Sequence, residues 1–349
     1  MGLEKVSGLT IGRGTPGPRN LITDVPGVTV GHATIQDGGS VNTGVTAVLP
    51  HAGNLFRDKV LAASAVINGF GKTIGLVQVE ELGTIETPIL LTNTLSVGAA
   101  ATALVKYMLA QNTDIGRTTG TVNPLVCECN DGFLNDIRGL HVKEEHIFQA
   151  IAAARTDFAE GAVGAGTGMC CLGFKGGIGS ASRVALLDGC QYTVGALVLS
   201  NFGGAGRLVI DGRQIGREIQ NRPAAEQDKG SIIMLLAVDI PLSERQLKRI
   251  CRRAGAGLAR TGSYYGNGSG DIAIAFTTAN RVPHDSPKAF IEMKMLSDDH
   301  IDPVLDLTAE AVEEAIISSL WHAATTTGRD GHIRRSLREF LNDLPVPLG

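Results

Sequence analysis

Apolar residues follow two different rhythms along this chain. In the first quarter they come in short runs bounded by turn residues, at Val28–Ile35, Gly44–Leu49, Thr73–Val79 and Pro88–Thr94. Runs of that length between Gly, Pro, Asn and Asp predict β-strands. Val97–Leu109 and Lys143–Phe158 instead repeat their apolar positions at helical spacing, which predicts two helices. Tyr192–Leu199 and Ser231–Asp239 are continuous apolar runs of strand length, the pattern of strands buried on both faces. Ser243 with Gln246 three residues on is a capping box, opening a helix that runs to about Arg260. Ile272–Thr277 is another buried strand. Asp302-Pro303 starts a long helix reaching about Ala324, and His332–Leu341 is a short amphipathic segment with several basic residues. Strands and helices are mixed without regular βαβ alternation. That favours a layered sandwich, sheets inside and helices outside, over a doubly wound parallel sheet.

Composition narrows the partners rather than the fold. A chain of 349 residues with 43% hydrophobic and 19% charged residues has ample material for a core. No internal repeat or linker divides it. The net charge of −4, without a basic tail or stripe, argues against nucleic acid. Met1–Arg19 lacks the charged and apolar regions of a secretory signal, and no apolar run of about 18 residues occurs, so neither export nor a spanning helix is expected. Six cysteines without a CxxC pair fit a reducing cytoplasm, with Cys127 and Cys129 expected as buried thiols. The 45 glycines lie between aliphatic runs and predict tight turns and close backbone approaches.

Three lookalike motifs carry little. Gly69-Phe70-Gly71-Lys72-Thr73 resembles the end of a phosphate-binding loop, but the glycine that motif needs five positions before Gly71 is Val66. It is expected as a turn before a strand. Gly164-Ala165-Gly166-Thr167-Gly168 lacks both the third-glycine spacing and the acidic residue at the end of a next strand that a dinucleotide site needs. The eight histidines are scattered, His141 and His146 are five apart, and no HExxH occurs, so neither a metal nor a cofactor is expected.

Asn267-Gly268-Ser269-Gly270-Asp271 supports two readings. Asn-Gly is the strongest two-residue hairpin signal. The same flexibility before a serine lets its hydroxyl attack the preceding carbonyl, and an N→O acyl shift followed by hydrolysis frees Ser269 with an α-amine. An α-amine titrates near 7.7–8.0, against about 10.4 for lysine, so it can act as general base without a histidine.

Gly268-Ser269-Gly270-Asp271-Ile272-Ala273-Ile274-Ala275-Phe276 resembles the processing site of the DmpA-type L-aminopeptidase/D-amino-acid esterases and β-peptidyl aminopeptidases. The resemblance continues through Thr23-Asp24-Val25-Pro26-Gly27-Val28 with Val30-Gly31-His32, and through Asn130-Asp131-Gly132 with Leu134-Asn135-Asp136. Gly164–Met169, Gly173–Gly179 and Ala311-Val312-Glu313-Glu314-Ala315 extend it over nearly the whole chain.

The resemblance implies a four-layer αββα sandwich shared with the ornithine acetyltransferases. It implies one self-processing domain, cut between Gly268 and Ser269 into an α chain (1–268) and a β chain (269–349), with tetramers of such pairs. It implies removal of N-terminal residues from small peptides, amides or esters through an acyl-enzyme. Ser269 is then the nucleophile, Asn201 the oxyanion donor, and Thr308 with Glu310 the supporting hydroxyl and carboxylate, Thr308 replacing the family's serine. Glu313 is the competing alignment for the carboxylate. Glu128 matches the acid that receives the substrate amine. Phe133 stands where aminopeptidase members carry a tyrosine, and so lacks its O–H donor. Two rival readings share the fold: an acyltransferase of the ornithine acetyltransferase type, which uses threonine as nucleophile, and an unprocessed binding protein without chemistry, which the Phe133 and Thr308 departures keep open.

Overall fold

Two sheets lie face to face in the computed structural model, which describes residues 9–219 and 230–341. The smaller has the order β1 (Thr29–Gln36), β2 (Asn42–Leu49), β5 (Ile89–Asn93), β6 (Leu125–Cys129). The larger runs β4 (Thr84–Ile85), β3 (Asp58–Gly69), β12 (Gly270–Pro283), β11 (Ser231–Val238), β10 (Cys190–Asn201), β9 (Gly177–Leu187). Two two-residue strands, β7 (Cys170–Cys171) and β8 (Phe174–Lys175), form a small hairpin. Helices α2 (Val97–Gln111) and α3 (Glu144–Ala152) cover the small sheet, while α4 (Glu244–Arg260) and α5 (Asp302–His322) cover the large one. The order of layers is αββα, as the resemblance implies.

Alternation along the central strands builds this stack. In β11, Ile232, Met234 and Leu236 join a core with Leu247, Ile250 and Leu258 of α4 and Val312, Ala315 and Ile316 of α5. The intervening Ile233, Leu235 and Ala237 face Val48, Leu91 and Cys127 of the other sheet. β12 divides in the same way, Ala273 and Ala275 outward and Ile272, Ile274 and Phe276 inward. A third core joins Val45, Ala47, Leu90 and Val126 to α2 and α3. Each fully buried branched side chain contributes about 1.5–3 kcal/mol, so strands buried on both faces anchor the sandwich.

Most predicted elements appear, with instructive differences. The capping box at Ser243 forms, with Gln246 N–H donating to the Ser243 hydroxyl and Ser243 N–H to the Gln246 amide oxygen. Lys143–Phe158 is helical only to Ala152, because Arg155 exchanges two 3.0 Å backbone hydrogen bonds with Val30. Thr73–Val79 is not a strand. Ile74 makes an isolated bridge to Val126, and Gly75 at φ 99° opens a short helix α1 (Leu76–Leu82), which Gly83 at φ 62° closes. Two glycines in the left-handed region thus outweigh the β-branched residues between them. His332–Leu341 splits into a strand pair member, Ile333–Arg334, and a helical turn, Arg338–Leu341. Strands β3 and β9 were not predicted, since Ala- and Ser-rich runs carry little strand propensity. Their small residues allow helices to approach: a Cβ at Gly179 would lie 1.9 Å from Ala315 O of α5.

No helix among the described residues is long and apolar enough to cross a membrane. The tight β9–α5 contact gives a stability test. Gly179→Ala should destabilise the protein by roughly 1–3 kcal/mol, read as a lower thermal midpoint.

Candidate active site

The segment that precedes β12 is shaped by its neighbours before any chemistry is considered. Tyr265 occupies the left-handed region at φ 58°, uncommon for a bulky side chain, and its hydroxyl donates to Gly255 O of α4. A β-turn follows, closed by Ser269 N–H donating to Gly266 O at 2.9 Å. Neither Asn267 nor Gly268 has positive φ, which a two-residue hairpin of the Asn-Gly kind requires at both positions. β12 moreover pairs in parallel with β11, with α4 between them in sequence. The hairpin reading of Asn267-Gly268 is therefore excluded.

Ser269 is held on both sides. Its N–H is on Gly266 O, and its carbonyl accepts from Phe70 N–H at 3.2 Å and from the Asn68 side-chain amide. The hydroxyl donates to Asp271 Oδ1 at 2.6 Å, and both residues are buried. Gly270 admits no side chain, since a Cβ there would lie 2.7 Å from Phe70 O. Its N–H donates to Ser231 Oγ at 3.1 Å.

Register carries Asn201 into the same row. Asn201 pairs with Ser231, and Ser231 pairs with Gly270, on three adjacent strands. The Asn201 amide is oriented by two bonds: Cys170 N–H donates to Oδ1 at 2.9 Å, and Nδ2 donates to Asn130 O at 3.0 Å. Nδ2 carries two protons, so the contact to Asn130 uses only one of them.

Glu128, on β6 of the facing sheet, reaches the junction through the 69–73 turn. Its Oε1 accepts from Lys72 N–H at 2.8 Å and its Oε2 from the Thr94 hydroxyl. A Cβ at Gly71 would lie 3.7 Å from Glu128 Oε1 and 3.9 Å from Gly270 Cα. The turn that resembles a phosphate loop thus joins Glu128 to the start of β12. The Cys129 thiol is pushed well above its usual range, by burial first and then by the charges of Glu128 and Asp271. The second glycine-rich stretch is a packing device: a Cβ at Gly166 would meet Gly161 O and Ile178 N, each at 2.6 Å.

Phe133 stacks on His332, with ring centroids 4.5 Å apart, and the Arg334 guanidinium covers its ring at 3.7 Å. It lies three residues beyond Asn130 and offers no hydroxyl.

Thr308 and Glu310 are not brought to Ser269. The Thr308 hydroxyl donates to Val304 O within α5 at 2.7 Å. Glu310 accepts from Arg13 N–H at 2.9 Å, Gly14 N–H at 2.8 Å and Arg183 Nε at 3.3 Å. Arg183 is fully buried in β9 and also binds Glu314 at 2.6 Å. It stands six positions along β9 from Gly177, the partner of Ser200, so about 20 Å of strand separates it from the Asn201 row. The cause is physical: a buried guanidinium must be neutralised, and it captures the carboxylates that α5 offers. Glu313 pairs with Arg260 at 3.5 Å, at the end of α4. Burial raises its pKa, against the nearby guanidinium.

Asp271, Asn68 and Phe70, which touch Ser269 directly, were not assigned roles from sequence. The i, i+2 spacing of Ser269 and Asp271 is a signal for the first, since a strand puts such side chains on one face. Nothing local marks Asn68, which register alone places opposite Asp271. Among the described residues no group of three or more His, Cys, Asp or Glu side chains is placed to hold a metal ion.

An αββα sandwich with a buried serine opening a central strand is the architecture of the N-terminal-nucleophile hydrolases, and this protein is a serine aminopeptidase of that class. It belongs to peptidase family S58, which it matches over residues 20–334. Beta-peptidyl aminopeptidase BapA of Sphingosinicella microcystinivorans is 40% identical over 343 residues, covering 91% of this chain and 85% of that protein. The solved structure of the PH0078 protein of Pyrococcus horikoshii OT3 is 56% identical with a TM-score of 0.94, covering 98% of both chains. The L-aminopeptidase D-Ala-esterase/amidase of Ochrobactrum anthropi, described as a prototype for the serine aminopeptidases and a variant of the Ntn hydrolase fold, is 37% identical, with a TM-score of 0.89 over 96% of both chains.

The placement of Glu310 yields a prediction. Glu310→Gln should lower stability by up to roughly 3 kcal/mol in thermal unfolding while kcat/KM per folded enzyme stays within about twofold.

Proposed function

We propose that the chain cuts itself between Gly268 and Ser269, and that the released Ser269 removes N-terminal residues from small peptides, amides or esters. The observation that carries this reading is the fixation of Ser269, with its amide, carbonyl and hydroxyl each held by a separate partner immediately before β12. After the cut, the α-amine takes the proton of the serine hydroxyl as it attacks the substrate carbonyl. Asn201 presents its second amide proton to the oxyanion, a contact whose loss costs about 2.7–4 kcal/mol in comparable sites. The acyl-enzyme is then opened by water, with the amine again as base.

Glu128 receives the substrate's ammonium. A carboxylate in that position explains a requirement for a free N-terminus. Similarity to a beta-peptidyl aminopeptidase and to an L-aminopeptidase D-Ala-esterase/amidase supports substrates with a short spacer between amine and carbonyl. Phe133 leaves the oxyanion to Asn201 and backbone donors.

The two chains act as one α–β pair, and pairs associate further, as a tetramer in the cytoplasm. Support for association comes from Phe290, Met293 and Met295, apolar side chains exposed along one stretch of the β-chain segment. Six free thiols support a reducing compartment.

Ser269→Ala should leave a single intact chain on denaturing electrophoresis, with no hydrolysis of L-amino-acid p-nitroanilides. A Ser269→Ala chain that is still cut at this bond would contradict the assignment. Glu128→Gln should still be cut, but should lose roughly tenfold or more in kcat/KM for free-amine substrates, mainly through KM.

A further inference from the structure

The uncut chain poses a problem that the mature enzyme does not. Before cleavage the nitrogen of Ser269 is an amide, and its N–H is already donated to Gly266 O. It has no lone pair to offer as a base, so the first turnover needs another group to take the hydroxyl proton. Among the described residues the Ser269 hydroxyl bonds Asp271 rather than a histidine. His32 bonds Thr46 and Ala159 O, His51 bonds Asp58 O, His284 bonds Lys59 and Thr119, and His332 bonds Phe133 O. Glu310 is engaged by Arg183 and by the backbone of residues 13 and 14. Both oxygens of Glu128 already accept hydrogen bonds from Lys72 and Thr94.

Asp271 is different. Its Oδ1 accepts the Ser269 hydroxyl directly at 2.6 Å, the length of a charge-assisted O–H···O bond. It is fully buried at the second residue of β12, so its position is fixed by pairing on both sides: Ile232 in β11 and Asn68 in β3. Asn68 in turn donates to the Ser269 carbonyl. One register therefore sets nucleophile, carboxylate and clamp together.

We propose that Asp271 is the general base of self-cleavage, a catalytic residue for the processing step that the α-amine cannot serve. The proposal rests on the reading that Ser269 is freed by self-cleavage. The hydroxyl proton passes to Asp271 as Oγ bonds to the Gly268 carbonyl carbon. Asp271 returns that proton to the Ser269 nitrogen as the carbon–nitrogen bond breaks, which leaves an ester between Gly268 and Oγ and a free amine. Water then hydrolyses the ester, giving the Gly268 carboxyl group and restoring the hydroxyl. The aspartate ends as it began, and no other reactant is consumed. The chain thus uses two bases in sequence, Asp271 once and the amine it liberates thereafter.

The test compares full-length wild type, Asp271→Asn and Ser269→Ala, produced by cell-free synthesis and followed in time on denaturing gels, with thermal melts of each product. Asparagine keeps the shape and one acceptor oxygen but cannot hold the proton. The expected result is that Asp271→Asn is cut about 10²–10⁴-fold more slowly than wild type and melts with the uncut Ser269→Ala chain. Cleavage within about threefold of the wild-type rate would overturn the proposal. So would an intact Asp271→Asn chain melting more than about 10 °C below Ser269→Ala, which would make Asp271 a folding residue. A wild-type chain that stays intact would instead remove the self-cleavage reading, and this proposal with it.

Discussion

The structure depends on one constraint, the burial of β12 in the middle of the larger sheet. It pairs in parallel with β11 and antiparallel with β3, and packs against helices on one face and the second sheet on the other. A strand fixed in this way has no freedom at its first residues, and Ser269 sits at that boundary. The neighbouring strands then bring everything the serine touches. β3 and the turn after it supply Asn68 and Phe70, β11 supplies Ser231 beside Gly270, and the strand itself supplies Asp271.

The same burial would hold the molecule together after the proposed cut. β12 and α5, both after Ser269, are packed into the interior against the strands and helix that come before. α5 is also tied back to β9 through Arg183, which binds Glu310 and Glu314, and to the backbone of residues 13 and 14 through Glu310. Separating the pieces would expose two hydrophobic cores and an unpaired buried guanidinium, each prohibitive against a net stability of roughly 5–15 kcal/mol. The carboxylates of α5 thus have a structural use that accounts for their placement.

Much of the layer order was legible from pattern. The unbroken apolar runs at Ser231–Val238 and Ile272–Phe276 announce strands buried on both faces, and the Ser243 capping box marks its helix to the residue. What escaped were elements whose character comes from neighbours. β3 and β9 are rich in alanine and serine because helices press on them, and α1 is helical because glycines frame it. The site divides along the same line. Ser269 stands out through a long motif, and Asn201 and Glu128 lie near the junction through strand register and the 69–73 turn. Glu310 was misplaced because spacing along a helix cannot reveal that a buried arginine on another strand claims it. Asn68 lies far from Ser269 in sequence and becomes its neighbour only through antiparallel pairing.

The central claim, that Ser269 is a nucleophile released by a cut at Gly268, is tested most directly by trapping the acyl-enzyme. The purified protein is quenched during turnover of a slow amino-acid ester, and the acyl group is located by mass spectrometry of the separated chains. The predicted result is one acyl group on the hydroxyl of Ser269, in a fragment that begins at Ser269 and ends at Gly349. An acyl group on any other residue, or on an uncut chain of 349 residues, would contradict it.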